Sequence, residues 1–234
     1  MKRMIIAVIL IIAIVVGGTG CMFFELLNMG KGHDINQQAL KYLEEKYGEE
    51  FTYAAAYGDS TSGTREFYAT CDSLPGQRVL VQVENFQEET RIFRDNYLAV
   101  KYQQQTIDYL REQVTAGYRS VNIFYEGNTE GLDLPADADF AQYLREGSAK
   151  LIVMLELKAS EATDTARMDE IAAEIAKACN YITLTIVVVN DEMFGTMDRG
   201  ELGDCLSTGQ CVKWGKYYIQ NGQIQTDWHG GKYE

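Results

Sequence analysis

Basic residues are scarce in this chain of 234, with 21 Lys and Arg against 34 Asp and Glu, a net charge of −13. A nucleic-acid binder needs a basic surface to meet phosphate, so nucleic acid is excluded as a partner. The same deficit excludes docking on anionic lipid through a polybasic patch. Proline is almost absent, at 2 residues, which rules out a Pro-rich stalk or linker. Histidine is equally rare: His33 and His229 stand at opposite ends of the folded part, and no CxxC pair occurs. A zinc site therefore lacks its ligand pattern. No P-loop, GxGxxG or HExxH is present, so no cofactor is expected.

What the chain does hold is one long uncharged run. Met4 to Phe24 follows Lys2 and Arg3 and precedes Glu25, with an almost purely aliphatic stretch from Met4 to Val16. A helix of that length reaches about 30 Å, the thickness of a bilayer core. No polar face interrupts it, which argues against a buried core helix. The leading bases keep the N-terminus in the cytoplasm and send the rest across. Three fates are open: an uncleaved anchor, a signal peptide cut near Gly20, or a lipoprotein signal. The last rests on Gly18-Thr19-Gly20-Cys21, which resembles the bacterial lipobox and would make Cys21 the lipidated residue. The expected location is the cell membrane, reached through residues 4–24, with the folded part extracytoplasmic. The sequence divides into residues 1–29 as anchor or signal segment, 30–127 as an α+β lobe, and 128–234 as a second lobe of βαβ unit plus hairpin, the alternative being one continuous domain over both lobes.

The first lobe opens with a helix. Asp34 with Gln37 makes a capping pair, Ile35, Ala39, Leu40, Leu43 and Tyr47 recur at helical spacing, and Gly48 ends it. Short extended runs follow: Phe51–Tyr57, Arg65–Thr70, Arg78–Glu84 and Arg91–Tyr102. No helix fits between them, so they form an antiparallel meander with the first helix on one face. A helix over Thr106–Ala116, a strand over Ser120–Tyr125 and a short helix over Phe140–Arg145 come next. Leu151–Leu157 and Ile182–Val189 read as strands covered on both faces, and Met168, Ile171, Ala172 and Ile175 mark the helix between them. This is a βαβ unit with a parallel pair. Asn221-Gly222 between two alternating runs closes a C-terminal hairpin. The class is α+β.

Chemistry-bearing residues are few. Gly58-Asp59-Ser60 after a strand, Asn190-Asp191 after another and His229 near the end are similar, in order, to the blocks of the SGNH (GDSL-type) hydrolases. That resemblance implies Ser60 as nucleophile, Asn190 as oxyanion donor and His229 as general base, because a hydroxyl needs an imidazole to take its proton. Val188 and Thr61 depart from the family pattern, and the alternative to this triad is a set of polar turns. Cys205 and Cys211 lie six apart in Gly203–Cys211, which reads as a loop, and are the disulfide candidate in an oxidising space. Cys71 and Cys179 read as small buried residues. Asp133, Asp137 and Asp139 supply hard oxygens for calcium, but the EF-hand glycine and glutamate are missing, and a helix cap is the plainer role. Tyr53, Tyr57, Tyr68, Tyr217 and Tyr218 sit on strands and are able to form a recognition face.

The segment Ala39–Phe51, just after the anchor, resembles the start of uncharacterised membrane-anchored or lipoprotein-like exported proteins of Gram-positive bacteria. Helix followed by antiparallel strands is also similar to the cystatin-like and PepSY-type modules in topology. Together these imply a membrane-tethered extracytoplasmic protein, a non-catalytic binding or interaction module whose partner is a protein or another envelope component. The alternative is the serine esterase.

Overall fold

The computed structural model describes residues 34–59, 63–126, 134–146, 151–162, 164–208 and 211–230. The uncharged run 4–24, Cys21, His33 and Ser60 lie outside the described residues. Among the described residues no helix is long and apolar enough to cross a membrane.

Residues 34–47 form helix α1. Gly48, at φ +72°, closes it, its N–H bonding back to Glu44 O at 2.8 Å. The buried stripe Ile35, Ala39, Leu40 and Leu43 joins one cluster with Phe67, Val79, Val81 and Val83 of the sheet beneath. That sheet is a four-stranded antiparallel meander, β1 (Thr52–Asp59), β2 (Arg65–Thr70), β3 (Val79–Glu84) and β4 (Ile92–Asp95), in order β1-β2-β3-β4. The alternation predicted for Val79, Val81 and Val83 sets all three inward, fully buried.

The strand predicted over Arg91–Tyr102 stops at Asp95. Tyr97–Lys101 is instead a short helix, α2. Asp95 Oδ1 accepts the Tyr97 N–H at 3.0 Å, which satisfies a donor at the helix start and turns the chain out of the sheet. Helix α3 (Gln103–Thr115) follows directly.

The second sheet has five strands in the order β5-β6-β7-β8-β9: β5 (Val121–Glu126), β6 (Leu151–Lys158), β7 (Tyr181–Val189), β8 (Lys213–Gln220) and β9 (Gln223–His229). β6 and β7 pair in parallel across helix α5 (Ala166–Ala178), as the continuous apolar runs required. The other pairs are antiparallel. Asn221 and Gly222 both take positive φ, +51° and +76°, the backbone of a type I′ turn. Helices α3 and α5 cover the inner face, where Val153, Leu155, Ile186 and Tyr217 are fully buried. Helix α4 (Phe140–Glu146) packs on α5. Asp139 Oδ1 accepts the Gln142 N–H at 2.8 Å, so this acid caps α4. The core residues on the inner faces of both sheets belong to one contiguous cluster.

The other face of β6 and β7 is covered at one end by residues 190–208 and 211–212. The loop predicted over Gly203–Cys211 contains most of a sixth helix, α6 (Arg199–Thr208). Its start is a reciprocal capping box: Asp198 Oδ1 accepts from Glu201 N and Glu201 Oε2 accepts from Asp198 N, both at 2.9 Å. Asp198 and Glu201, three apart, were the sequence signal for this helix. The two glycines in the first turns masked it.

Candidate functional site at the carboxyl end of the parallel strands

β6, β7 and β9 run the same way, so their carboxyl ends meet at one end of the five-stranded sheet. Asn190, Cys205, Cys211 and His229, read from sequence as site residues, all come to this end. In open sheets with parallel strands this is where ligands gather.

Even-numbered residues of β6 point away from the main core. There Met154, Val187, Val189 and Leu202 form a second, smaller core with Phe124, Met193, Phe194, Met197 and Cys211. Glu156 sits within this layer, fully buried. Its carboxylate accepts Asn122 Nδ2 at 2.7 Å and the Gly195 N–H at 3.1 and 3.2 Å. A buried carboxylate must be hydrogen-bonded, and here those bonds tie the 190–197 turns to the sheet. Gly195 stands at φ +76°, which suits a residue without Cβ. Periodicity alone gave no warning of Glu156, because it interrupts an otherwise apolar run by a single residue.

Asn190 is exposed just past β7, its carbonyl accepting the Met193 N–H at 2.9 Å. Asp191 accepts the Ser160 N–H at 3.0 Å and bonds the Ser160 hydroxyl as well. Those bonds, hydroxyl first and N–H second, hold the Asp191 carboxyl below its ordinary value. They latch the turn after β6 to the turn after β7.

His229 is exposed at the end of β9. Its Nε2 lies 2.8 Å from Asp227 Oδ2, and its ring stacks on Trp214 with centroids 4.2 Å apart. The sequence carries an Asp two residues before the histidine, and on a strand that spacing puts both on one face. Ser60, the third member of the proposed triad, lies outside the described residues. Asp59, the last residue of β1, belongs to the other sheet.

Cys205 and Cys211 are neighbours in the thiol form. Cys211 Sγ donates to Cys205 O at 3.5 Å. Burial, helped by the adjacent Cys211 thiol, pushes the Cys205 thiol up to about 11. It is therefore protonated at neutral pH and is no resting thiolate nucleophile. Cys179 is fully buried, and burial raises it to about 12, as expected of a core cysteine. Cys71 is half-buried beside Ser73. Among the described residues no cluster of three His, Cys, Asp or Glu side chains is arranged to hold a metal.

The five strand tyrosines do not share one face. Tyr53 packs on Phe67, and Tyr57 meets Tyr68 edge to face on the outer side of the meander. Tyr217 is fully buried, bonding Asp169 Oδ1 at 2.7 Å, and only Tyr218 projects outward from the second sheet, 43% exposed.

Tyr218 stands on the outward face of the C-terminal hairpin, which runs from this end of the sheet towards the opposite one. On β8 and β9 the outward residues pair across the hairpin as Trp214 with His229, Lys216 with Asp227, Tyr218 with Gln225 and Gln220 with Gln223. Thr183 and Tyr181 of β7 extend the rows under Tyr218 and Gln220. The surface is aromatic and amide-rich. Its single lysine and single aspartate cancel, in a chain whose net charge is −13.

No family model matches the chain, and no curated protein matches its sequence. A solved structure to which it is similar is a DUF5037 family protein from Ruminococcus gnavus ATCC 29149, with 15% identity, 81% of this chain and 92% of that chain covered, and a TM-score of 0.43. The described residues build an α+β fold of a helix-backed antiparallel meander joined through one core to a mixed five-stranded sheet.

Proposed function

We propose that the protein is a non-catalytic binding module of the cell envelope, tethered by residues 4–24 with its folded part outside the membrane, and that it binds through the outward face of β8 and β9. The observation that carries this reading is the makeup of that face: Trp214 and Tyr218 four residues apart on one strand, about 13 Å, flanked by Gln220 and Gln225 and without net charge. Aromatic rings offer rigid apolar area, and amides both donate and accept hydrogen bonds. That combination suits an uncharged, hydroxyl-rich polymer, which makes an envelope glycan the best-matched ligand class. The acidic remainder of the chain keeps the protein clear of anionic polymers.

The test is co-sedimentation of the detergent-solubilised full chain with purified insoluble cell-wall glycan. Binding by the wild type, with loss in Trp214→Ala/Tyr218→Ser, supports the reading. Equal pelleting of both proteins, or of neither, defeats it. For the tether, retention of the intact chain in membranes after carbonate washing is the expected result, and release contradicts it. Diacylglycerol on Cys21 by intact mass selects lipidation over a plain span.

The 2.8 Å His229–Asp227 pair favours one second reading, an SGNH-like serine esterase using Ser60, Asn190 and His229. A carboxylate that orients an imidazole is what a general base needs. Labelling by a fluorophosphonate probe, lost in Ser60→Ala, is its signature. An unlabelled wild type removes it.

A further inference from the structure

The 190–212 segment covers the second core and contributes Met193, Phe194, Met197, Leu202 and Cys211 to it. On α6, Leu202 and Cys205 are buried, at 0% and 1% exposure. The ends of this cover are fixed: α6 starts in the Asp198–Glu201 capping box, and Val212 N–H bonds Val188 O at 2.9 Å where β8 begins. Between these fixed points stand two cysteines in contact, Cys211 Sγ reaching Cys205 O at 3.5 Å. The two sulfurs are inequivalent. Cys205 is buried on α6 itself, and Cys211 is half-buried at the entrance to β8. Cys71 and Cys179 differ in kind, the first bonded to Ser73 and the second closing α5 inside the main core.

We propose that Cys205 and Cys211 form a reversible thiol–disulfide site that fastens the 190–212 cover, with Cys211 the sulfur that meets the oxidant and Cys205 the one that completes the bond. The oxidant class is a small-molecule disulfide, RSSR. The Cys211 thiol gives its proton to water, and its thiolate attacks one sulfur of RSSR. The S–S bond breaks, a Cys211–S–S–R mixed disulfide forms, and RS⁻ leaves. Cys205 then loses its proton and attacks Cys211 Sγ, forming the internal disulfide and releasing the second RS⁻. Two protein thiols are oxidised and one RSSR is reduced to two thiols, protons included. The order follows from access, because an external disulfide reaches Cys211 directly but reaches Cys205 only when the cover opens. The oxidised form pins the end of α6 to the start of β8, and a dithiol reductant restores the state seen here.

The test uses the full chain in detergent with oxidised glutathione, read by residue-level peptide mapping without reduction. In the wild type the result expected is an internal Cys205–Cys211 disulfide, reversed by dithiothreitol, and slower proteolysis within 190–212. In Cys205→Ser the mixed disulfide persists on Cys211. In Cys211→Ser residue 205 stays unmodified while the protein is folded. Independently of any variant, iodoacetamide should alkylate Cys211 of the reduced wild type roughly tenfold or more faster than Cys205. Free Cys205 and Cys211 after excess oxidant, a glutathione adduct on Cys211 that never resolves in the wild type, or faster alkylation of Cys205 would each overturn the proposal.

Discussion

Lys46 reaches from the last turn of α1 to the buried Asp95 at the end of β4, Nζ to Oδ2 at 3.0 Å. Asp95 is 1% exposed and also accepts the Tyr47 hydroxyl at 2.7 Å and the Tyr97 N–H at 3.0 Å. One carboxylate thus ties the first helix, the last meander strand and the start of α2 together. Removing one member of a buried pair strands the other. Asp95→Ala should cost about 3–5 kcal/mol, read as a lowered guanidinium midpoint. Asp95→Asn, which keeps acceptor and shape, should cost less. Wild-type stability in Asp95→Ala would show that the network is not a structural tie.

Alkaline pH should unfold the protein over a defined window. Burial pushes the tyrosines at 97, 109, 118 and 125 up to about 12 from an ordinary value of 10.0. Burial alone would lower the Lys46 ammonium, but the charge and hydrogen bond of Asp95 outweigh it and leave it raised. A group whose folded-state value is raised holds its proton more tightly when folded. Its contribution is complete below the unfolded value and is lost as pH climbs towards the folded one. Stability should therefore be flat up to about pH 10 and fall steeply by about pH 12. Urea midpoints, followed with tyrosinate absorbance, measure it. Tyrosinate absorbance appearing in full at pH 10.5 with the fold intact would contradict the burial of these rings.

Val153 and Ile186 lie fully buried on the parallel central strands. Val153→Asp or Ile186→Asp places an unpaired charge in the core and should cost several kcal/mol. Unchanged thermal stability in both would refute the placement of these strands at the centre.

Glu156 makes a narrower prediction. Glu156→Ala leaves the Gly195 N–H and the Asn122 amide without their acceptor and should cost about 1–3 kcal/mol. The loss is local: amide exchange at 190–197 rises more than exchange in β1–β4. A uniform rise across both sheets would mean that the carboxylate supports the whole fold rather than the cover.

How much of this was legible in the sequence depended on whether a local pattern was allowed to rule. The βαβ unit was plain because Leu151–Leu157 and Ile182–Val189 are apolar on both faces, and only burial on both sides tolerates that. The hairpin was plain because Asn221-Gly222 accepts positive φ twice. Residues 97–101 misled because Tyr97 and Val100 have strand propensity, and the local bond from Asp95 to the Tyr97 N–H starts a helix instead. Helix α6 was hidden by Gly200 and Gly203, although Asp198 and Glu201 announced it. Among site residues, the sequence supplied Asn190, Cys205, Cys211 and His229, but their convergence comes from parallel strand direction and register. The outward row of Trp214, Lys216 and Tyr218 was open to period-two reading. Which of the two β8 faces meets α5 is decided only by the packing of Tyr217 and Ile219 in the main core.

The most direct test of the account is binding at the β8–β9 face. Full-length protein should pellet with purified cell-wall glycan in a saturable manner, and Trp214→Ala/Tyr218→Ser should lose that binding by about tenfold or more, roughly 1.4 kcal/mol, with unchanged circular dichroism. Equal binding by the folded double variant, or no saturable binding by the wild type, would contradict it.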